Sequence, residues 1–245
     1  GKIKSDKFAN QVFNILLILL FLLVFIVELF APFFVSLLAP GFIEDDQKID
    51  LAIKLTRITF PFLLFVSLAS FFAAILNSNN RFAAAAASPI ILNLILIITL
   101  LISANIGDQL AYQLSYAVTI SGIIQLLFLY IFVKKYFSLN LSFKIYFNQK
   151  IKFFFRKLFP SIFAAGVTQI NVLIGTIIAS FQAGAVSYLY YADRVYQINL
   201  AIAGIAVGVV ILPQLSKYIR SKNREKINLI QNKSIELCLF LSLPA

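Results

Sequence analysis

Apolar runs of roughly 20 residues or more recur along this chain, and each is long enough for a helix to cross a hydrocarbon layer about 30 Å thick. A backbone in that layer must satisfy its own hydrogen bonds, so each run has to fold as a helix. Seven spans are predicted: 11–39, 51–76, 84–103, 110–133, 158–182, 185–212 and one that starts near Lys226 and is still apolar at Leu243. Composition agrees, with 61% apolar residues, 26 Phe and a mean hydropathy of +0.92. The expected fold class is therefore an all-α polytopic membrane protein. Pro32 and Pro61 fall inside spans and predict kinks. The chain lacks methionine and its last apolar run is open, so it reads as an internal piece of a longer protein.

Basic residues fix an expected orientation. Lys2, Lys4 and Lys7 precede the first span, Arg81 lies between the second and third, and Lys134, Lys135, Lys144, Lys150, Lys152, Arg156 and Lys157 lie between the fourth and fifth. Lys217, Arg220, Lys222, Arg224, Lys226 and Lys233 follow the sixth. The alternate loops hold only Lys48, Lys54 and Arg57, beside the acids Glu44, Asp45, Asp46 and Asp50. Such asymmetry makes the basic side cytoplasmic. It also explains the formal charge of +11. These cations are spread over loops and not gathered on one folded face, so no nucleic-acid partner is expected.

Between the fourth and fifth spans, aromatic residues such as Tyr136, Phe137, Phe153 and Phe154 alternate with lysines. That pattern suits an amphipathic element in the interface, with rings in the headgroup layer and ammonium groups on phosphates. An ordinary basic loop has the same composition. The element at 135–157 would separate four helices in 1–134 from three in 158–245.

Polar residues inside the spans are few. A charge near the bilayer centre costs about 2.5–3.5 kcal/mol on translocon scales. Asp193 and Arg194 stand side by side in the sixth span, with Arg194 about 12 Å inside an end placed at Val186, at the helical rise. Such a pair must face protein, water or an anion. Arg194 either recognises an anion or holds an acid structurally, and Asp193 either orients Arg194 or holds a partner helix. Tyr190, Tyr191 and Gln197 stand three or four residues from one or other of the pair, with Ser187 a turn further back. Any of them could equally be simple packing. Gly204 and Gly208 form a GxxxG pair that allows close helix contact, and Pro213 closes the span. Glu28, near the outer end of the first span, is expected to snorkel to the interface in preference to serving a proton relay. Gln169, Asn171, Thr176 and Asn93 read as interhelical hydrogen-bonding groups.

Enzyme chemistry finds no support. The chain has no histidine and a single cysteine, Cys238, so the usual neutral-pH base and the usual metal ligands are missing. No metal or cofactor is expected.

Four stretches carry a resemblance: LLAPGF (Leu37 to Phe42), RITFPFLLFVSLASFFAAILNSNNRF (Arg57 to Phe82), SYLYYADR (Ser187 to Arg194) and ILPQLSK (Ile211 to Lys217). Together, in order and with matching gaps, they resemble the MurJ (MviN) family of lipid II flippases. That resemblance implies the multidrug/oligosaccharidyl-lipid/polysaccharide exporter fold of two helical lobes, of which this chain is similar to the third through part of the ninth helix. It also implies transport without chemistry. Undecaprenyl-diphosphate-linked disaccharide peptide passes to the periplasmic leaflet by alternating access, driven by a coupling cation or the membrane potential. Arg194 matches the arginine that meets the diphosphate, and Asp193 and Ser187 match cavity positions. Gln197 departs from members that carry glutamate there. No carboxylate lies in 158–182, which counts against a sodium site that needs one in that helix. A related exporter of polysaccharide-linked lipids or drugs, and a non-transporting membrane scaffold, are the competing readings.

Overall fold

Proline sets the bends of the first two spans. The computed structural model describes residues 2–103, 109–142, 149–200, 217–221 and 223–243, with Ile211 and Leu215 besides. Its first helix, α1, runs Lys2–Leu29 and is followed after one residue by α2, Ala31–Leu38. Pro32 has no N–H, so the Glu28 carbonyl loses its helical partner and the axis breaks at Phe30. A 3₁₀ turn at Pro40–Phe42 leads to α3, Asp46–Thr59, whose N-cap Asp45 accepts hydrogen bonds from the amides of Gln47 and Lys48 at 3.1 Å. That is the bonding a helix start requires. Pro61 then interrupts the second span as Pro32 does the first. The chain tightens into i→i+3 bonds (Leu63 to Phe60, 3.0 Å; Leu64 to Pro61, 3.1 Å) as α4, Phe62–Ser78, begins. Both expected kinks are present.

Helix α5 spans Phe82–Ser103 and α6 spans Leu110–Val133. The α6 bounds coincide with the fourth expected span, and α5 begins two residues before the third. Helix α7, Gln149–Ala179, begins nine residues before the expected fifth span. Residues 149–157 hold no glycine or proline, and Ile151, fully buried, packs with Val12 and Ile15 of α1. Packing and propensity thus carry the helix back through the lysines. The aromatic–lysine segment therefore divides. Lys134–Tyr136 form a turn, 137–142 have no regular secondary structure, 143–148 lie outside the described residues, and the remainder is the first part of α7. Helix α8 is Ala185–Asn199 and α9 is Arg224–Ser242, capped where Asn223 Oδ1 accepts from the Lys226 amide at 3.1 Å. Gly204, Gly208 and Pro213, in the second half of the expected sixth span, lie outside the described residues.

Among the described residues four stretches are long and apolar enough to cross a membrane: Asp6–Leu29, Asp46–Ser78, Phe82–Ser103 and Leu110–Val133. The chain is accordingly a multi-pass helical membrane protein. Leu101 and Ile102 of α5 are about three-quarters exposed (76% and 74%), a state for large aliphatic side chains that only lipid or another helix makes stable.

The chain divides into two compact units, Gly1–Ile177 and Ile178–Ala245. In the first, α1, α4 and α6 share a core of Phe13, Leu20, Leu68, Phe72, Leu76, Leu129 and Val133. Phe13 stacks on Phe72 with ring centroids 5.4 Å apart and planes 8° from parallel. Phe71 meets Phe13 edge-on, also at 5.4 Å. Both arrangements are favoured by the ring quadrupoles.

Two asparagines tie the chain after α6 back to α1. Asn10 Nδ2 donates to the Ser138 carbonyl (2.9 Å), Asn10 Oδ1 accepts from the Asn140 amide (2.7 Å), and Asn14 Nδ2 donates to the Asn140 carbonyl (3.1 Å). An irregular segment thus gains the partners it would otherwise lack. Asn10→Ala removes two of these bonds and is expected to lower stability of the intact protein by about 1–2 kcal/mol. Hydrogen exchange at the Asn140 amide should rise with it, and unchanged protection there would show that the clamp does not hold the segment.

Candidate functional site

The turn between α7 and α8 turns on Gly184, whose φ of +76° lies in the left-handed region. A side chain there would be strained, and a Cβ would also meet the Tyr188 ring at 3.3 Å. The Gly184 carbonyl accepts the Tyr188 amide at 3.1 Å, which starts α8.

On α8, residues 190, 193, 194 and 197 follow the i, i+3, i+4, i+7 spacing that puts side chains on one face. The structure links them. Gln197 Nε2 donates to Asp193 Oδ2 at 2.5 Å, and Arg194 Nη1 donates to Gln197 Oε1 at 3.2 Å. The Arg194 guanidinium carbon lies 4.7 Å from the centre of the Tyr190 ring, within range of a cation–π contact. Asp193 and Arg194 form no ion pair among the described residues. Adjacent residues point about 100° apart, so Gln197 bridges them with both ends of its amide. The arrangement leaves Arg194 exposed, with one guanidinium nitrogen engaged and, among the described residues, no hydrogen bond to the rest of the fork.

Such a group binds an oxyanion well. A planar guanidinium donates two parallel bonds to phosphate oxygens, and Tyr190 and Gln197 fix its direction beforehand. Asp193, half-buried, holds the bridge without cancelling the arginine. Ser187 is exposed on the same helix, seven residues before Arg194, and no hydrogen bond joins it to the cluster among the described residues. Sequence spacing groups Tyr190, Asp193, Arg194 and Gln197. It does not distinguish the bridging role of Gln197 from packing, because that depends on rotamers.

Glu28 behaves differently from expectation. It does not reach wholly into water: its Oε1 is buried without a hydrogen-bond partner among the described residues. Val27, Ala31 and Val35, nearby in the chain, are buried as well.

Comparison with known proteins bears on the whole chain. The family model described as lipid II flippase MurJ matches residues 2–245. The probable lipid II flippase MurJ of Rhizobium tropici is 41% identical over 246 residues, covering 98% of this chain and 46% of the relative. That of Rickettsia prowazekii (strain Madrid E) is 38% identical over 248 residues, covering 100% of this chain and 48% of the relative. A solved structure, lipid II flippase MurJ in an inward closed conformation, superposes with a TM-score of 0.77 at 29% identity, covering 98% of this chain and 49% of that one. The chain thus spans about half the length of the relatives it matches. With the helical membrane fold in place and the likeness running from end to end, the chain belongs to the MurJ family of lipid II flippases.

Proposed function

We propose that this chain forms part of a flippase that carries lipid II from the cytoplasmic to the periplasmic leaflet of the bacterial inner membrane. The observation that carries the reading is the family match along residues 2–245. The α8 cluster supplies a chemical reason. Arg194 takes the diphosphate through charge-assisted hydrogen bonds, Gln197 and Tyr190 orient it, Asp193 anchors Gln197, and Ser187 lies further along the same helix as an additional polar contact. The basic loops draw the anionic headgroup to the cytoplasmic side. Residues 1–134 belong to one lobe and 158–245 open the second, with 135–157 as the link, and rocking of the two lobes alternates access. No bond is made or broken in the lipid, so the energy comes from a coupling cation or the membrane potential.

The test uses the intact protein in sealed vesicles loaded with labelled lipid II. Headgroups should cross to the far leaflet faster than in protein-free vesicles. A lipid carrying an unrelated glycan on a monophosphate should compete poorly. A rate equal to that of protein-free vesicles, under conditions where an established family member works, would sink the proposal. Equal competition by the unrelated lipid would favour the broader exporter reading.

A further inference from the structure

Helix α4 ends on a left-handed residue, Asn80, with φ of 58°. The Arg81 amide donates to the Leu76 carbonyl at 2.9 Å, and the Asn80 amide donates to that of Asn77 at 3.0 Å. These are the paired bonds of a Schellman ending. The motif fixes where Arg81 sits and starts α5 at the next residue. Facing it, α6 ends at Val133, and the amides of Tyr136 (2.8 Å) and Phe137 (2.9 Å) both close on the Val133 carbonyl. That turn presents Lys135.

Between the two turns lies a cavity of about 480 Å³, lined among others by Leu76, Arg81, Phe82, Phe132, Lys135 and Tyr136. The Arg81 guanidinium carbon stands 5.7 Å from the centre of the Tyr136 ring. No carboxylate lines the cavity, and neither Arg81 nor Lys135 forms a salt bridge among the described residues. The first turn of α5 adds the partial positive charge of a helix start. Two cations without anionic partners thus meet apolar walls at one end of a membrane span. Beyond Phe82 at the cavity, Ile90, Leu94 and Ile97 are exposed along one face of α5.

We propose that this cavity binds the phosphate of an anionic glycerophospholipid. Arg81 and Lys135 hold the phosphate, Phe82 and Phe132 take the glycerol and the first methylenes, and an acyl chain follows the exposed face of α5. Charge complementarity selects the anion. The apolar continuation selects a lipid over a free ion. The site shares no residue with the α8 cluster.

The test isolates the intact protein from vesicles of phosphatidylglycerol and phosphatidylethanolamine and counts retained lipids by native mass spectrometry. The Arg81→Gln, Lys135→Gln double variant should lose phosphatidylglycerol retention by about thirtyfold, with phosphatidylethanolamine unchanged. If the double variant does not fold, Ala83→Phe fills the cavity while keeping both cations, and the same loss should follow. Full retention in a folded variant overturns the proposal. Displacement of the lipid by inorganic phosphate also overturns it, by showing a free-anion site.

Discussion

Arg194→Ala is expected to lower lipid II translocation by the intact protein about a hundredfold. A hydrogen bond to a charged group contributes about 1.5–3 kcal/mol. A bidentate guanidinium–phosphate contact at the upper end of that range corresponds to about two orders of magnitude. Arg194→Lys keeps the charge and loses the planar fork, so its loss should be nearer tenfold. The Asp193–Gln197 bond survives both substitutions, since neither of its atoms belongs to Arg194. Arg194 is exposed within its own unit, so the thermal midpoint of the purified protein should scarcely move. Gln197→Ala frees the guanidinium from its 3.2 Å bond and should weaken transport less than Arg194→Ala does. The measurement is the rate of headgroup transfer in vesicles at matched protein content. An alanine variant that moves lipid II at the unsubstituted rate removes Arg194 from the mechanism.

Much of this architecture is legible in the residues, because a bilayer leaves the backbone few choices. The α6 bounds follow from an uninterrupted apolar run with polar flanks, and the breaks at Phe30 and Pro61 follow from missing N–H groups. Residues 149–157 are less legible. Their lysines suggest an interfacial piece, whereas burial of Ile151 against α1 makes them the start of α7. Long-range polar contacts leave no periodic trace. The Asn10–Asn140 bond joins residues 130 positions apart, and nothing in the spacing of asparagines announces it. The Arg81–Lys135 cavity is hidden for the same reason, since two turns distant in sequence build it. The α8 cluster lies between these extremes. Helical spacing brings its members to one face, but only side-chain geometry shows Gln197 taking Asp193 with one end and Arg194 with the other.

Gly122→Leu is expected to destabilise the first unit by about 3 kcal/mol, at the upper end of overpacking effects. Helices in a bilayer gain little from apolar burial against each other, because lipid is as apolar as leucine. Close van der Waals contact therefore carries the association, and small residues permit it. Gly122 lies where α6 meets α4, on the same turn of α6 as buried Ser121. A Cβ at Gly122 would lie 2.7 Å from Phe62 Cδ2 and 3.1 Å from Phe65 Cβ. The Phe62 ring can rotate aside, but the Phe65 Cβ moves only with its backbone. Gly122→Ala should thus cost about 1 kcal/mol, and leucine should push α4 and α6 apart. The neighbouring contact in which Thr119 Oγ1 donates to the Ile58 carbonyl at 2.5 Å would lengthen with them. Thermal unfolding of the intact protein in detergent, read for glycine, alanine and leucine at this position, should fall in that order. Phe62→Ala makes room for the leucine and should recover part of the loss. If the Gly122→Leu protein melts with the unsubstituted one, α4 and α6 do not pack at this distance.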